Sequence, residues 1–350
     1  MRIKKLIPLL DIELDRFRNY TRRRFDFSSD TVLLFGKNGT GKTNLLEAVS
    51  YLSLLRSFRG HVQSRELCAF NESMFAISAT LDKGRFKEKL HITETRSGKR
   101  ELKIGAAKVS RSSEFIHEFR TVAFVPEDKL IISGSSGSRR RFFDIMISTL
   151  DAAYFTSLMR YNRALAQRNK ALKSNPVMAK LFEPELAAQV GTICAKRKFF
   201  AEKTVEVFRR ISGEKYDFNI SYRPDYPQES DGFLDHLEKT RKKEMERFCT
   251  LSGPQRDEFL LTLNGRELRV FGSTGQIGIS ALLLKMTEFE LVKTLANLPV
   301  IALIDDVTGE LDRQNCDLFL NVIQSADQKI FTFSREEAIP PLSGVQRIDL

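Results

Sequence analysis

Residues Gly36-Lys37-Asn38-Gly39-Thr40-Gly41-Lys42-Thr43 spell G-x-x-x-x-G-K-[ST], preceded by the apolar, β-branched run Thr31-Val32-Leu33-Leu34-Phe35. A strand feeding such a loop, with a helix after it, is the layout of a phosphate-binding site. The glycines let the backbone curl so that successive N–H groups converge on phosphate oxygens, and the helix opening near Lys42 adds the positive end of its dipole. The apolar spacing of Leu45, Leu46, Val49 and Leu52 fits that helix. A nucleoside triphosphate is the expected ligand. Lys42 then reaches the β- and γ-phosphates as a point charge, and the Thr43 hydroxyl ligates the Mg²⁺ that bridges them.

The bulk of the chain is globular. Its 350 residues, 42% of them hydrophobic, leave room for about two domains with buried cores. No run of eighteen apolar residues occurs, and Met1-Arg2-Ile3-Lys4-Lys5 leads into an acidic stretch at Asp11 to Asp15 instead of an apolar signal core. A soluble, cytoplasmic chain without membrane association is expected. Cys68, Cys194, Cys249 and Cys316 lack C-x-x-C spacing, which indicates neither a zinc site nor a disulfide framework. His61, His91, His117 and His236 likewise form no metal or triad spacing.

A net charge of +11 and an isoelectric point near 9.5 point to a polyanionic partner. The excess is concentrated: between Arg139 and Arg210 stand 15 Lys/Arg against 6 Asp/Glu. A general solubilising surface spreads its charge more evenly.

Along the chain the texture changes twice. Ile3 to Leu14 and Arg22 to Phe27 read as an antiparallel pair, followed by the loop strand and a helix to about Leu55. Met74 to Ala79 and Glu88 to Ile92 continue the β structure, with more of it to about Val109. After the Gly/Ser cluster Ser133 to Ser138, Phe143, Met146, Leu150, Tyr154, Leu158, Tyr161 and Leu165 recur every three or four residues, predicting one long amphipathic helix. Leu186 to Ile211 predicts a second helix, Tyr222 to Gln228 a proline-rich turn, and Asp231 to Phe248 a shorter charged helix. From Thr250 sheet character returns, with a hairpin of Phe259 to Leu263 and Glu267 to Phe271 around Asn264-Gly265. A helix from Gly275 to about Leu298 and a buried strand, Pro299 to Ile304, complete the pattern. The resulting division is 1–125 and 250–350 as two parts of one head, and 126–249 as a helical arm.

The strand Pro299 to Ile304 ends in Asp305-Asp306. In a phosphate-loop enzyme such a strand end holds Mg²⁺, the role of Asp305, and orients the attacking water, the role of Asp306. Lys42 and Asp305 are 263 positions apart, too far for a small GTPase or nucleotide kinase, and no Asn-Lys-x-Asp guanine reader is present. Between them Ser273-Thr274-Gly275-Gln276 opens an apolar helix, a start that can bind an anion or serve only as a cap.

The series Gly36 to Thr43 with Asn44, then Ser273 to Gln276, then Asp305-Asp306-Val307 with Glu310-Leu311-Asp312, resembles an ABC-type ATPase of the SMC-like branch. Phe17-Arg18-Asn19-Tyr20, Val125-Pro126-Glu127-Asp128, Arg139-Arg140-Arg141-Phe142, Gln167-Arg168-Asn169 and Ser252-Gly253-Pro254-Gln255-Arg256-Asp257 extend the likeness end to end and resemble the RecF family of bacterial recombination and gap-repair proteins. The resemblance implies an α/β P-loop NTPase of ABC type: a mixed-sheet head with an antiparallel β subdomain and an inserted helical arm. It implies ATP bound by Gly36 to Asn44 and an ATP-dependent homodimer in which each site uses the partner copy's Ser273 to Gln276 as signature. Glu310, Leu311 and Asp312 fall at the D-loop. Binding of double-stranded or gapped DNA, and cooperation with RecR and RecO in loading RecA, are implied as well. Two departures bear on hydrolysis: Ile277-Gly278-Ile279 follows the signature Gln where the family has Gln or Arg, and Phe333-Ser334 stands where Thr-Thr is common.

For DNA phosphates the leading candidates are Arg139, Arg140, Arg141, Arg168, Lys196, Arg197 and Lys198, which lie in the cationic insert. A transporter-type ABC subunit and a non-hydrolysing ATP-dependent scaffold are the alternatives.

Overall fold

Alternation of buried and half-buried side chains sets the first part of the chain as antiparallel sheet. The computed structural model describes residues 8–60, 62–116, 118–307, 311–335, 342 and 344–350, so His61, His117 and Glu310 lie outside the described residues. Strands β1 (Leu9–Phe17) and β2 (Tyr20–Asp26) pair antiparallel; the expected start at Ile3 is also outside the described residues. Strand β3 (Thr31–Phe35) enters the glycine loop and α1 (Lys42–Leu54) leaves it. After the single turn α2 (Ser64–Leu67) come β4 (Met74–Asp82), β5 (Lys87–Thr95), β6 (Arg100–Ile104) and β7 (Ala107–Val109). The turn α3 (Ser112–Phe115) leads to β8 (Arg120–Phe124). Six of these strands make one antiparallel sheet in the order β2-β1-β4-β5-β6-β7. Phe75, Ile77, Ala79 and Leu81 of β4 are buried while their neighbours are half-buried, as one packed sheet face requires.

Two compact units are distinguished, Met1–Asp128 with Glu288–Leu350, and Lys129–Thr287. The second contains the turn α4 (Lys129–Ser133), then α5 (Ser136–Leu150), α6 (Ala152–Ser174), α7 (Glu183–Ser212), β9 (Phe218–Arg223), α8 (Ser230–Arg247), β10 (Glu258–Leu263), β11 (Arg266–Glu267), the turn α9 (Leu268–Phe271) and the start of α10 (Thr274–Leu295). The stripe from Phe143 to Leu165 is thus carried by two helices. Asp151 interrupts them in an extended conformation and caps α6 by accepting from the Tyr154 N–H at 2.8 Å. A side-chain cap competes with helix continuation, which periodicity alone does not register. Strand β9 covers Tyr222, where a turn was expected, and pairs antiparallel with β10 along its whole length. That pairing ties 250–287 to the helices, so the compact unit closes at Thr287 and not at Cys249. The hairpin turn Asn264-Gly265 forms with both residues at positive φ, but its second strand is only β11.

The interior of this unit is held by buried arginines. Arg168, fully buried, donates to Glu183 at 2.9 Å, to Glu244 at 2.6 Å and to the Thr250 hydroxyl at 2.7 Å. Arg197 donates to Asp144 at 2.8 Å, to Asp257 at 2.6 Å and to the Pro254 carbonyl at 2.7 Å. Arg139 pairs with Glu258 at 2.6 Å and Arg140 donates to the Asp257 carbonyl at 2.7 Å. The expectation that Arg139, Arg168 and Arg197 face DNA is therefore corrected: each is buried with a carboxylate partner, because a guanidinium taken out of water needs its charge matched. Arg141 is half-buried, Lys196 pairs with Asp151 at 2.6 Å, and Lys198 is exposed.

The first unit resumes with β12 (Val300–Asp305), α11 (Arg313–Ile323), β13 (Gln328–Phe333) and β14 (Gln346–Asp349). They join β3 and β8 in a parallel sheet ordered β14-β3-β13-β12-β8. Every residue of β12 and β13 is buried, as parallel strands covered on both faces demand. Register sets Phe333 beside Phe35 and Asp305 beside Thr332, so the carboxyl ends of three strands share one edge.

Truncating Arg168 leaves the fully buried Glu244 carboxylate without its cation. Arg168→Ala is expected to destabilise the chain by about 3–5 kcal/mol in urea unfolding; stability equal to the parent's would show that the cluster is not structural.

Candidate functional site

The glycine loop takes its shape from residues that only glycine can supply. Gly39 and Gly41 have φ of 87° and 111°, in the left-handed region. A Cβ on Gly41 would sit 2.7 Å from the Tyr20 hydroxyl oxygen and 2.8 Å from Asn19 Nδ2. Those two side chains clamp the loop from the β1–β2 turn: the Tyr20 hydroxyl donates to the Gly41 carbonyl at 3.1 Å and Asn19 to the Thr40 carbonyl at 3.3 Å. Burial pushes the Tyr20 phenol up to about 12, so it remains a donor at neutral pH. Asn44 on α1 donates in turn to Asn19 Oδ1 at 2.7 Å. One turn further, Arg18 grips the buried Glu47 with Nε at 2.8 Å and Nη2 at 2.7 Å. The stretch Phe17 to Tyr20 is therefore the outer wall of the loop and the anchor of its helix.

Inside the loop lies a buried cation. Lys42 is 6% exposed, and its ammonium donates to the carbonyls of Gly36 and Lys37 at 2.6 and 2.9 Å. Burial draws its pKa down, while Asp306 and Asp305 act in the opposite sense. The ammonium is thus held at the wall of the loop by two carbonyls and faces the carboxylates of Asp305 and Asp306, an arrangement suited to a phosphate that arrives with its own metal cation. The Thr43 hydroxyl donates to Asp305 Oδ1 at 3.0 Å, and the Thr332 hydroxyl donates to the same oxygen at 2.7 Å. Asp306, exposed and held at φ 54°, lines the same cavity of about 330 Å³, as do Arg59, Asn38 and Ser334. Strain of this kind persists where surrounding structure enforces it. Ser334 donates to Asn38 Oδ1 at 2.7 Å, so the departure from Thr-Thr keeps a hydroxyl against the loop.

The donor set fits a magnesium nucleotide. Among the described residues no group of three or more His, Cys, Asp or Glu side chains could hold a metal by itself. Thr43 and Asp305 offer two hard oxygens, and Mg²⁺ ordinarily takes the rest from phosphates and water.

The residues expected from sequence divide by unit. Gly36 to Asn44, Asp305 and Asp306 converge on the cavity of the first unit. Asp312 caps α11 by accepting from the Asn315 N–H at 2.8 Å. In the second unit Ser273 to Gln276 are exposed, with Ser273 and Gln276 in a reciprocal capping box of 2.9 and 3.2 Å, and Gly275 meets nothing within 4 Å of an added Cβ. Three contributors had escaped notice. Thr332 becomes visible only through the β12–β13 register, Glu47 only through its Arg18 and Arg59 partners, and Arg59 belongs to no motif.

With this geometry in hand, the likeness to known proteins is specific. Residues 8–340 match the RecF/RecN/SMC N terminal domain family. A Clostridium botulinum DNA replication and repair protein RecF is 30% identical over 340 residues, covering 94% of this chain and 93% of that protein. The protein of that name from Cyanothece sp. is 32% identical over 343 residues, covering 93% and 90%. A solved structure of the recombination mediator protein RecF with ATP, from the RecFOR pathway, matches with a TM-score of 0.87 at 28% identity, covering 97% of this chain and 96% of that one. The mixed α/β architecture is that of an ABC-type ATPase. Motif order, the geometry of the glycine loop and end-to-end similarity agree: the chain belongs to the RecF family of DNA replication and repair proteins.

Proposed function

We propose that this chain is an ATP-dependent DNA-binding protein of recombinational and replication-gap repair, in which ATP joins two copies on DNA and slow hydrolysis releases them. The observation that carries this reading is the buried Lys42 ammonium, hydrogen-bonded to two loop carbonyls and opening onto a cavity shared with Asp305, Asp306 and Arg59. The loop N–H groups and Lys42 bind the phosphates; Arg59 adds a second cation to the same cavity. Mg²⁺, held by Thr43 and Asp305, neutralises phosphate charge when bound. Asp306 orients the attacking water. It is one methylene shorter than the glutamate of fast ABC motors and sits on a constrained backbone, both consistent with weak turnover.

The exposed Ser273 to Gln276 helix start supports a site completed by a second copy. It is capped, solvent-facing and unobstructed at Gly275, so its dipole end is available to an anion on another molecule. ATP then acts as the joint of a homodimer, and DNA stimulates its hydrolysis. The excess positive charge supports double-stranded or gapped DNA as the partner, and the naming of relatives within the RecFOR pathway supports RecR and RecO as collaborators in loading RecA. Such work places the protein in the cytoplasm; no helix among the described residues is long and apolar enough to cross a membrane.

Light scattering tests the joint. ATP should double the mass of the parent, whereas Ser273→Arg should bind ATP with parental affinity and stay monomeric; ATP-driven dimers of that variant would end the trans-signature idea. Lys42→Ala should lose nucleotide binding altogether in a fluorescent-ATP titration. Asp306→Asn should dimerise with ATP yet release phosphate on the order of 10²-fold more slowly, and a parental rate would remove Asp306 from the water-orienting role.

A further inference from the structure

We infer that the outer face of α6 is where this chain grips duplex DNA, through the phosphate backbone, with Arg160, Arg163, Lys170 and Lys173 as the contacts. The inference rests on the DNA-binding reading above and supplies the surface that the buried arginines do not. Helix α6 contains no acidic residue in its 23 positions. Its buried residues, Tyr154, Tyr161, Ala164, Arg168 and Leu172 among them, occupy one side, and the four cations are exposed on the other. At 100° per residue Arg160, Arg163, Gln167 and Lys170 fall within an arc of about 80°, with Lys173 about 60° further round. From first to last they span about 20 Å of helix.

What sets these four apart is a helix without any acid to neutralise them. None of them has an ion pair or side-chain hydrogen bond among the described residues. The neighbouring helices are different: on α7 Lys203 pairs with Glu206 at 2.7 Å, and on α8 Arg241 pairs with Glu238 at 2.6 Å. Mixed signs of that kind make an ordinary solvated face. The α6 face instead holds like charges at i,i+3, Arg160 with Arg163 and Lys170 with Lys173, an arrangement that costs a helix about 0.2–0.5 kcal/mol per pair. A polyanion removes that cost. The exposed residues between the cations, Asn162, Ala166 and Gln167, are small or polar, with Met159 the one large apolar side chain at the edge. Such a face suits phosphate positioning, whereas a protein partner is anchored by buried aromatic and apolar groups. Duplex DNA carries one charge per roughly 1.7 Å of axis, so a 20 Å stripe meets enough phosphates to engage all four cations.

The test uses the full chain with ATP and a duplex, read by fluorescence anisotropy across a salt series. Arg160→Gln, Arg163→Gln, Lys170→Gln and Lys173→Gln combined should make the slope of log affinity against log salt shallower by about 3 to 4. Affinity at about 0.1 M salt should fall at least tenfold on the order expected from lost counterion release, while ATP-driven dimerisation and the circular dichroism spectrum stay parental. Parental slope and affinity in that variant would overturn the assignment of α6 yet leave DNA binding standing. Failure of the parent itself to bind duplex at low salt would instead overturn the DNA-binding reading. If the parent bound polyglutamate as tightly as duplex, and the variant lost both, the stripe would be an acidic-protein site and the proposal would fail.

Discussion

One carboxylate oxygen, Asp305 Oδ1, joins parts of the site that are far apart in sequence. It accepts from Thr43 at the start of α1 and from Thr332 on the adjoining parallel strand. The first of these contacts bridges 262 positions, and nothing local brings its ends together. It exists because β3, β13 and β12 lie side by side in register, with their carboxyl ends aligned. The glycine loop, the Ser334 hydroxyl and Asp306 all emerge from that edge, so the phosphate cavity is a property of the sheet and not of the loop alone.

Around this edge the protein spends its polar residues on positioning. Tyr20 and Asn19 hold loop carbonyls, and Arg18 holds Glu47. The motif Phe17 to Tyr20, conspicuous in sequence, touches no phosphate-binding atom except by steering the backbone that carries it. That division is economical in physical terms: a loop bent through left-handed glycines has little intrinsic preference for one shape, and outside hydrogen bonds select it.

The second unit shows how charge counts mislead when burial is unknown. Arg139, Arg168 and Arg197 were counted among the cations of the insert, yet each is satisfied internally by a carboxylate. The acids that pair them come partly from within the segment, Asp144 and Glu183, and partly from beyond it, Glu244, Asp257 and Glu258. The division at Asp151 was hidden for a related reason. The apolar stripe runs on in phase through both helices, and only the capping bond to Tyr154 shows where one ends. Strand β9 was equally hard to see, since its six residues gain their identity from pairing with β10.

The sequence by itself determined what is local and chemically narrow. The glycine loop needs positive φ at Gly39 and Gly41, and the strands before it and before Asp305-Asp306 need apolar runs, all of which a short window of sequence displays. Motif order was enough for family and fold class. Tertiary structure alone decided which cations face water, because burial is set by distant acids as much as by the arginines themselves. It alone placed Thr332, Glu47 and Arg59 around the nucleotide cavity and its helix, since strand register and helix packing have no signature within a short window of sequence.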